Sequence, residues 1–442
     1  MIWLVPIMPK LDKHINHKSF KFVRELGGIS EYVHGHNGLR VLIYEDHSAP
    51  VVALNVTYLV GSRNEAVGHT GATHLLEHLM FKGSKNFNKK NGKWIWAYIG
   101  GLGAEINGTT MGDRTNYYEV LPKEHVAKAL AMEADRMVNS FISEEDRQSE
   151  MTVVRNEFEW GENEPREALG KQIWATIFQA HPYGRYVIGL KSDIENVPIE
   201  RLREFYKTFY WPNNAYVTLA GDISVSEALP LIDKYFRKLK ASPKPIPIMY
   251  SEEPAQEGPR RTTVRRAGEL GLVAVAHRLP PALSPEMFAL DVLAGILGRG
   301  RSSRMYRALV DTGLAARVSV DNTSWRDASV FATEAHLSAN VDHKKIEEII
   351  LSEYEKVKKE GISKEELERE KKQIEVQLAT TRDGPEAVMS VLNETIAVGD
   401  WTLYVRYQDE IKKVTLELVK AVANKYLIED LSTTGYFIPK KL

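Results

Sequence analysis

The 442-residue chain is 43% hydrophobic and 26% charged, the composition of a folded protein of roughly two to four domains, which excludes disorder and collagen-like repeats. Lys+Arg (58) and Asp+Glu (59) leave a formal net charge of -1, so nothing in the charge points to nucleic acid or to an anionic membrane. Cysteine is absent, which removes disulfides, thiol nucleophiles and cysteine-based metal sites and leaves His, Asp and Glu to hold any transition metal.

The opening stretch MIWLVPIMPKLDK has no basic residues ahead of its apolar part, is interrupted by Pro6, and lacks a small-residue cleavage site. It reads as a tail packed on the surface. No apolar run approaches the ~20 residues of a membrane span, and the expected setting is cytoplasmic, with the periplasm as the alternative. Residues 41–44 and 51–60 predict two strands around a turn, followed by the loop GSRNEAVGHTG. ATHLLEHLMFK, residues 72–82, predicts a helix ended by Gly83. Residues 105–120 predict two strands turning near Gly112 and Asp113, and 123–141 and 144–180 predict long helices. NNAYVTLAGDIS returns to strand and 224–239 to helix.

Residues 241–259 hold five prolines without sustained periodicity and predict a linker. The same style then recurs. Strands are expected at 272–279, 315–319, 329–338 and TTGYFIP, and helices at 285–297, 302–312, 343–360 and 416–426. Ser363 with Glu366 forms a capping box that opens another helix, running to about 381. The expected fold class is therefore α+β. Residues 1–240 would form an N-terminal metal-binding domain and 260–442 a C-terminal homologous domain. Each would be an α/β sandwich with a mixed, mostly antiparallel sheet, although no strong residue-level repeat is visible.

The decisive segment is His74-Leu75-Leu76-Glu77-His78. Residues i and i+4 share a helix face, so His74 and His78 can offer two imidazoles to one cation, with Glu77 beside the same stripe. This is the reversed H-x-x-E-H form of the zinc-protease pattern. Neutral imidazoles bind zinc without cancelling its Lewis acidity. A free carboxylate can then take a proton from zinc-bound water, whose pKa falls to roughly 7. A third protein ligand is needed. Glu150 and Glu157 share one face of the long second helix, with Val153 and Val154 between them suggesting partial burial. Glu157 is the candidate ligand and Glu150 a supporting carboxylate. Glu159, Glu162 and Glu164 lie nearby, and spacing alone leaves that choice open.

At this point the sequence resembles the pitrilysin/insulinase family of zinc metallopeptidases, which includes mitochondrial processing peptidase and two-subunit bacterial relatives. HTGATHLLEHLMFKGS looks like the family's active-site helix, and SEMTVVRNEFEWGENEP like the segment carrying its third ligand; 78 residues separate His78 from Glu157. The resemblance implies one Zn2+ on His74, His78 and Glu157, Glu77 as general base and Glu150 as a helper carboxylate. It also implies half of a clamshell chamber. GGLGAEINGTTMGDRTNYYEVLP resembles the substrate-side edge strand, where Asn107 and Gly108 would pair with peptide backbone. The family's second homologous domain carries an Arg and a following Tyr that stabilise the oxyanion. Val310 and Ala316 stand at those positions here, and the nearby Tyr306 and Arg307 lie too early in the motif. The expected function is thus a zinc metalloendopeptidase for small or unfolded peptides, working as the catalytic subunit of a heterodimer. The alternative is a non-catalytic zinc-binding scaffold or processing-complex subunit of the same family.

Overall fold

The computed structural model describes residues 15–440, so the expected N-terminal tail lies outside the described residues. The first sheet contains β1 (Phe20–Leu26), β2 (Ile29–His34), β3 (Arg40–Glu45), β4 (Val51–Tyr58), β5 (Glu105–Thr110), β6 (Thr115–Pro122) and β7 (Ala215–Gly221). Its order is β1-β2-β3-β7-β4-β6-β5. The second contains β8 (Arg260–Ala267), β9 (Leu272–Leu279), β10 (Ala315–Asn322), β11 (Ser329–Leu337) and β12 (Ser432–Lys440), in the order β10-β11-β9-β12-β8. Read from β5, the first sheet runs β5-β6-β4-β7-β3, which is the order of the second. Pairing senses agree as well: β3–β7 and β8–β12 are parallel and the corresponding other pairs antiparallel. The two sheets are the same topology built twice.

The helices of the first half are α1 (Ala72–Met80), α2 (Ile95–Gly100), α3 (Val126–Asn139), α4 (Glu144–Asn163), α5 (Pro165–Ile177), α6 (Lys191–Asn196), α7 (Ile199–Phe209) and α8 (Val225–Phe236). Those of the second are α9 (Glu286–Gly298), α10 (His343–Glu360), α11 (Lys364–Thr380), α12 (Pro385–Val398), α13 (Leu403–Lys413) and α14 (Leu416–Tyr426). Two of them cross over. α5 packs Leu169 and Ile173 on Val264, Leu272 and Phe437 of the second sheet. α12 packs Val388, Leu392 and Ile396 on Ile29, Leu42 and Tyr216 of the first. Full burial of such side chains contributes about 1.5–3 kcal/mol each, so the exchange ties the halves together strongly.

The helix expected over 144–180 is two helices. Pro165 is the first residue of α5, and it forces Glu164 into an extended conformation because the residue before proline cannot stay helical. The hairpin β1–β2, turned by Gly27 and Gly28 at φ 61 and 79, was not expected, nor were β8, α12 and α13. Residues 302–312 include a π-helical turn, Tyr306–Val310. Residues 241–259 are irregular and pinned: the Glu253 carboxylate accepts the N–H groups of Gln179, Ala180 and His181 at 2.8–2.9 Å.

Candidate metal centre

α1 is held at its start by two residues. Gly71 adopts φ 82, and a Cβ there would lie 2.3 Å from the Ile188 carbonyl oxygen. The Glu65 carboxylate accepts Gly71 N at 2.8 Å and Thr73 N at 2.7 Å, satisfying two orphan amides of the first turn. Burial pushes Glu65 up to about 7, opposed by those hydrogen bonds. Gly71→Ala should therefore displace α1. Left-handed strain alone costs about 1–2 kcal/mol, before the clash is counted. Thermal unfolding should drop accordingly, and metal affinity, measured by competition with a chelating dye, should fall with it.

Leu75, Leu76, Leu79 and Met80 are buried toward the sheet, which turns His74 and His78 to the opposite side of α1. On α4, Ser143 caps the N-terminus and Val154 is fully buried, whereas Val153 is exposed. The packed side of α4 carries Glu150 and brings Glu157 over α1. His74 Nε2 and His78 Nε2 lie 3.7 and 3.8 Å from Glu157 Oε2. These separations are too long for hydrogen bonds. They approach the edge of a tetrahedron with ~2.0–2.1 Å metal bonds, about 3.3 Å. Three lone-pair donors thus converge on one point, a donor set that fits a divalent cation of zinc's size; it is the one such group among the described residues.

His78 Nδ1 is 3.0 Å from Glu150 Oε2, and the other Glu150 oxygen pairs with Lys82. With the proton on Nδ1, Nε2 is free to ligate. Burial, with the neighbouring His78, pushes His74 down to about 4, so its imidazole is neutral at physiological pH. Glu77 is buried beside these residues and outside the ligand triangle. Burial raises its pKa, countered by the hydrogen bond from Thr110 Oγ1 and by His78 and Arg114.

β5 is the edge of its sheet, next to the site. Met111 N donates to Arg114 O at 2.9 Å, which closes the β5–β6 hairpin. Alternation along the pair then leaves the backbone groups of Ile106, Gly108 and Thr110 on the free edge. Gly108 belongs there: a Cβ would lie 3.1 Å from both the Phe81 and Tyr117 rings. Asn107 is exposed and alternates to the other face of the strand, and its Oδ1 accepts Gly108 N at 2.9 Å. The structure thus gathers His74, Glu77, His78, Glu150 and Glu157 at one place, with Gly108 beside them and the Asn107 side chain turned away. Lys82 and Thr110 were missed, yet both had a signal. Lys82 continues the His74–His78 stripe by four residues, and Thr110 shares the strand face of Gly108.

The second half contains the counterpart of this site without its ligands. Ser143 caps α4 and Ser363 caps α11; seven residues on stand Glu150 and Glu370, and fourteen on Glu157 and Gln377. Lys82 pairs with Glu150, and Arg299 pairs with Glu370 at 3.2 Å. Counting back from those cations, His78 corresponds to Gly295 and His74 to Asp291. The Arg299 guanidinium forms an ion pair with Glu370 and donates to Gln377, so a side-chain cation lies among the residues that correspond to the candidate metal ligands. A cavity of about 750 Å³ is bordered by Asp291, Gly295, Arg299 and Gln377. Val310 closes the π-helical turn and Ala316 is exposed on β10; neither offers a hydrogen-bonding side chain.

Residues 40–190, which carry the ligand triangle, match the family described as Insulinase (Peptidase family M16). Residues 196–374 match the Peptidase M16 inactive domain. The chain is 31% identical to zinc protease PqqE of Helicobacter pylori over 91% of each chain. It is 26% identical to a probable mitochondrial-processing peptidase subunit beta of Arabidopsis thaliana, over 89% of this chain and 75% of that one. The crystal structure of a protease from Helicobacter pylori superimposes with a TM-score of 0.89 at 29% identity, covering 94% of this chain and 100% of that one. The doubled topology, the reversed zinc motif on α1 and these similarities lead to one conclusion: the chain belongs to the insulinase (peptidase M16) family.

Proposed function

We propose that this chain is the zinc-bearing, catalytic subunit of a two-subunit metallopeptidase acting on small or unfolded peptides. One observation carries the reading: His74, His78 and Glu157 converge from two helices while Glu77, a buried carboxylate on the same helix, stays outside the ligand set. The relatives named zinc protease support the metal, and the inactive-domain match falls on residues 196–374, beyond this triangle.

His74, His78 and Glu157 would hold one zinc ion, and Glu150 would fix the His78 tautomer. A zinc ion held there supplies Lewis acidity that polarises a peptide carbonyl and eases loss of a proton from water. Glu77 Oε2 is engaged by Thr110, which leaves Oε1 to take the water proton and pass it to the leaving amine. The free edge of β5 receives the peptide as an added strand through Gly108 and its neighbours. The side chains of Val310 and Ala316 cannot donate to an oxyanion, and in this reading those hydrogen bonds come from a homologous partner subunit. The test is peptidase activity of the purified chain, alone and with a homologous second subunit. Zinc at one per chain and turnover only with the partner are expected; full turnover by the chain alone overturns the two-subunit reading.

A further inference from the structure

An edge strand has one neighbour, so its free end needs something besides the ladder to hold its position. β5 is held by a side-chain circuit that crosses to the second half of the chain. Arg114, buried in the β5–β6 turn, donates through Nη1 to the Thr109 carbonyl at 3.0 Å and to Asn116 Oδ1 at 2.8 Å. Its Nε donates to Glu394 Oε1 on α12 at 3.1 Å. From Asn116 the bonds continue to Asn55, from Asn55 to Thr57, and from Thr57 to Asn393, each at 2.7 Å. Asn393 Nδ2 returns to Glu394 at 3.2 Å, closing the ring. Asn55, Thr57, Asn116 and Asn393 are buried, so a break leaves unsatisfied polar groups.

The circuit is anchored on the strand segment that matters. Thr109 lies between Gly108, whose backbone faces the free edge, and Thr110, whose hydroxyl engages Glu77. The carboxylate that pairs with Arg114, Glu394, comes from α12, which enters from the second half. The residues are 280 apart in sequence.

We propose that Arg114, paired with Glu394, is a positioning residue that sets the height and rigidity of the docking edge of β5. Through it the second half of the chain controls peptide capture by the first. The inference rests on the proposed peptidase reading and deepens it. Arg114 touches neither candidate metal ligand nor substrate; it holds the strand through Thr109, and its charge, which Arg114→Lys retains, also lies near Glu77.

Two variants of the full-length chain, assayed with the partner subunit, test this. Arg114→Lys keeps the charge and loses the planar fork. Glu394→Gln keeps every strand contact of Arg114 and removes only the charge, and its half-exposed side chain makes misfolding a minor concern. For an internally quenched unstructured peptide, KM should rise about tenfold in Arg114→Lys, the loss of one charge-assisted hydrogen bond, with kcat changed far less. Hydrogen exchange of the segment spanning β5, read by mass spectrometry on the chain itself, should quicken while β4 and β7 stay protected. Unchanged β5 exchange in both variants overturns the inference. So does faster exchange with unaltered KM, which would make the pair merely structural. A parent protein without turnover refutes the peptidase reading instead, and β5 exchange still decides whether the clamp exists.

Discussion

Glu77→Gln should retain bound zinc and lose turnover by about 10³-fold or more, near the upper range for removal of a general base. The substitution is nearly isosteric. Thr110 Oγ1 still meets an oxygen acceptor in the amide, so the buried side chain keeps its place. His74, His78 and Glu157 form their triangle without it, so metal content should be unchanged. The separation of the two readouts is the point. On the proposed mechanism, removing a candidate ligand, as in His78→Ala, should lower zinc and turnover together, whereas removing the proposed base should lower turnover alone. Elemental analysis and kcat on the same preparation check it. Turnover retained in the glutamine variant would remove Glu77 from the chemistry.

What the sequence discloses and what it hides follow from the range of the interactions. His74, Glu77 and His78 are local: one helix face defines their geometry, and the motif is legible without a fold. Glu150 and Glu157 share a helix face, but only packing shows that Val154 points inward and Val153 outward, which sets the rotation of α4 over α1. The doubled topology was foreseen as a style of element order, yet no residue repeat betrayed it. The reason is visible at the site: the positions corresponding to His74, His78 and Glu157 have become Asp291, Gly295 and Gln377, so the most characteristic residues of one half are the ones replaced in the other. The exchange of α5 and α12 has no local signature at all. The sequence reads α5 only as the end of a longer helix and gives no expectation for α12, and which sheet each covers is decided by contacts distant in sequence. The break at Pro165 and the Gly27–Gly28 turn did have local signals, and for these the chain itself was sufficient.

Arg136→Leu should destabilise the protein by about 3–5 kcal/mol at neutral pH, the cost of stranding buried charge. Arg136 is 0% exposed on α3, below the C-terminal end of α1. Its Nε donates to Glu133 Oε2 at 3.0 Å and its Nη2 to Glu119 at 3.4 Å, and both acids are themselves inaccessible. The guanidinium lies 4.3 Å from the Tyr117 ring centre and 5.1 Å from that of Phe81, the two rings that press on Gly108. Burial, with Glu133 alongside, already pushes the Glu119 carboxyl well above the usual range. Removing the cation pushes the Glu119 carboxyl further up, because Arg136 is what opposes its burial. A carboxyl whose folded pKa exceeds its unfolded one contributes stability below the unfolded value and loses it as pH rises toward the folded value. The deficit of the leucine variant should therefore be largest at alkaline pH, above the raised Glu119 value, and should shrink as pH falls from there into the acid range. Thermal melts of parent and variant across that range measure it. Because the same cation supports Phe81 and Tyr117 beneath the proposed docking strand, the variant should, on that proposal, also bind peptide less tightly at temperatures where it is still folded. An identical melting temperature at neutral pH would mean that the buried cation holds nothing in place.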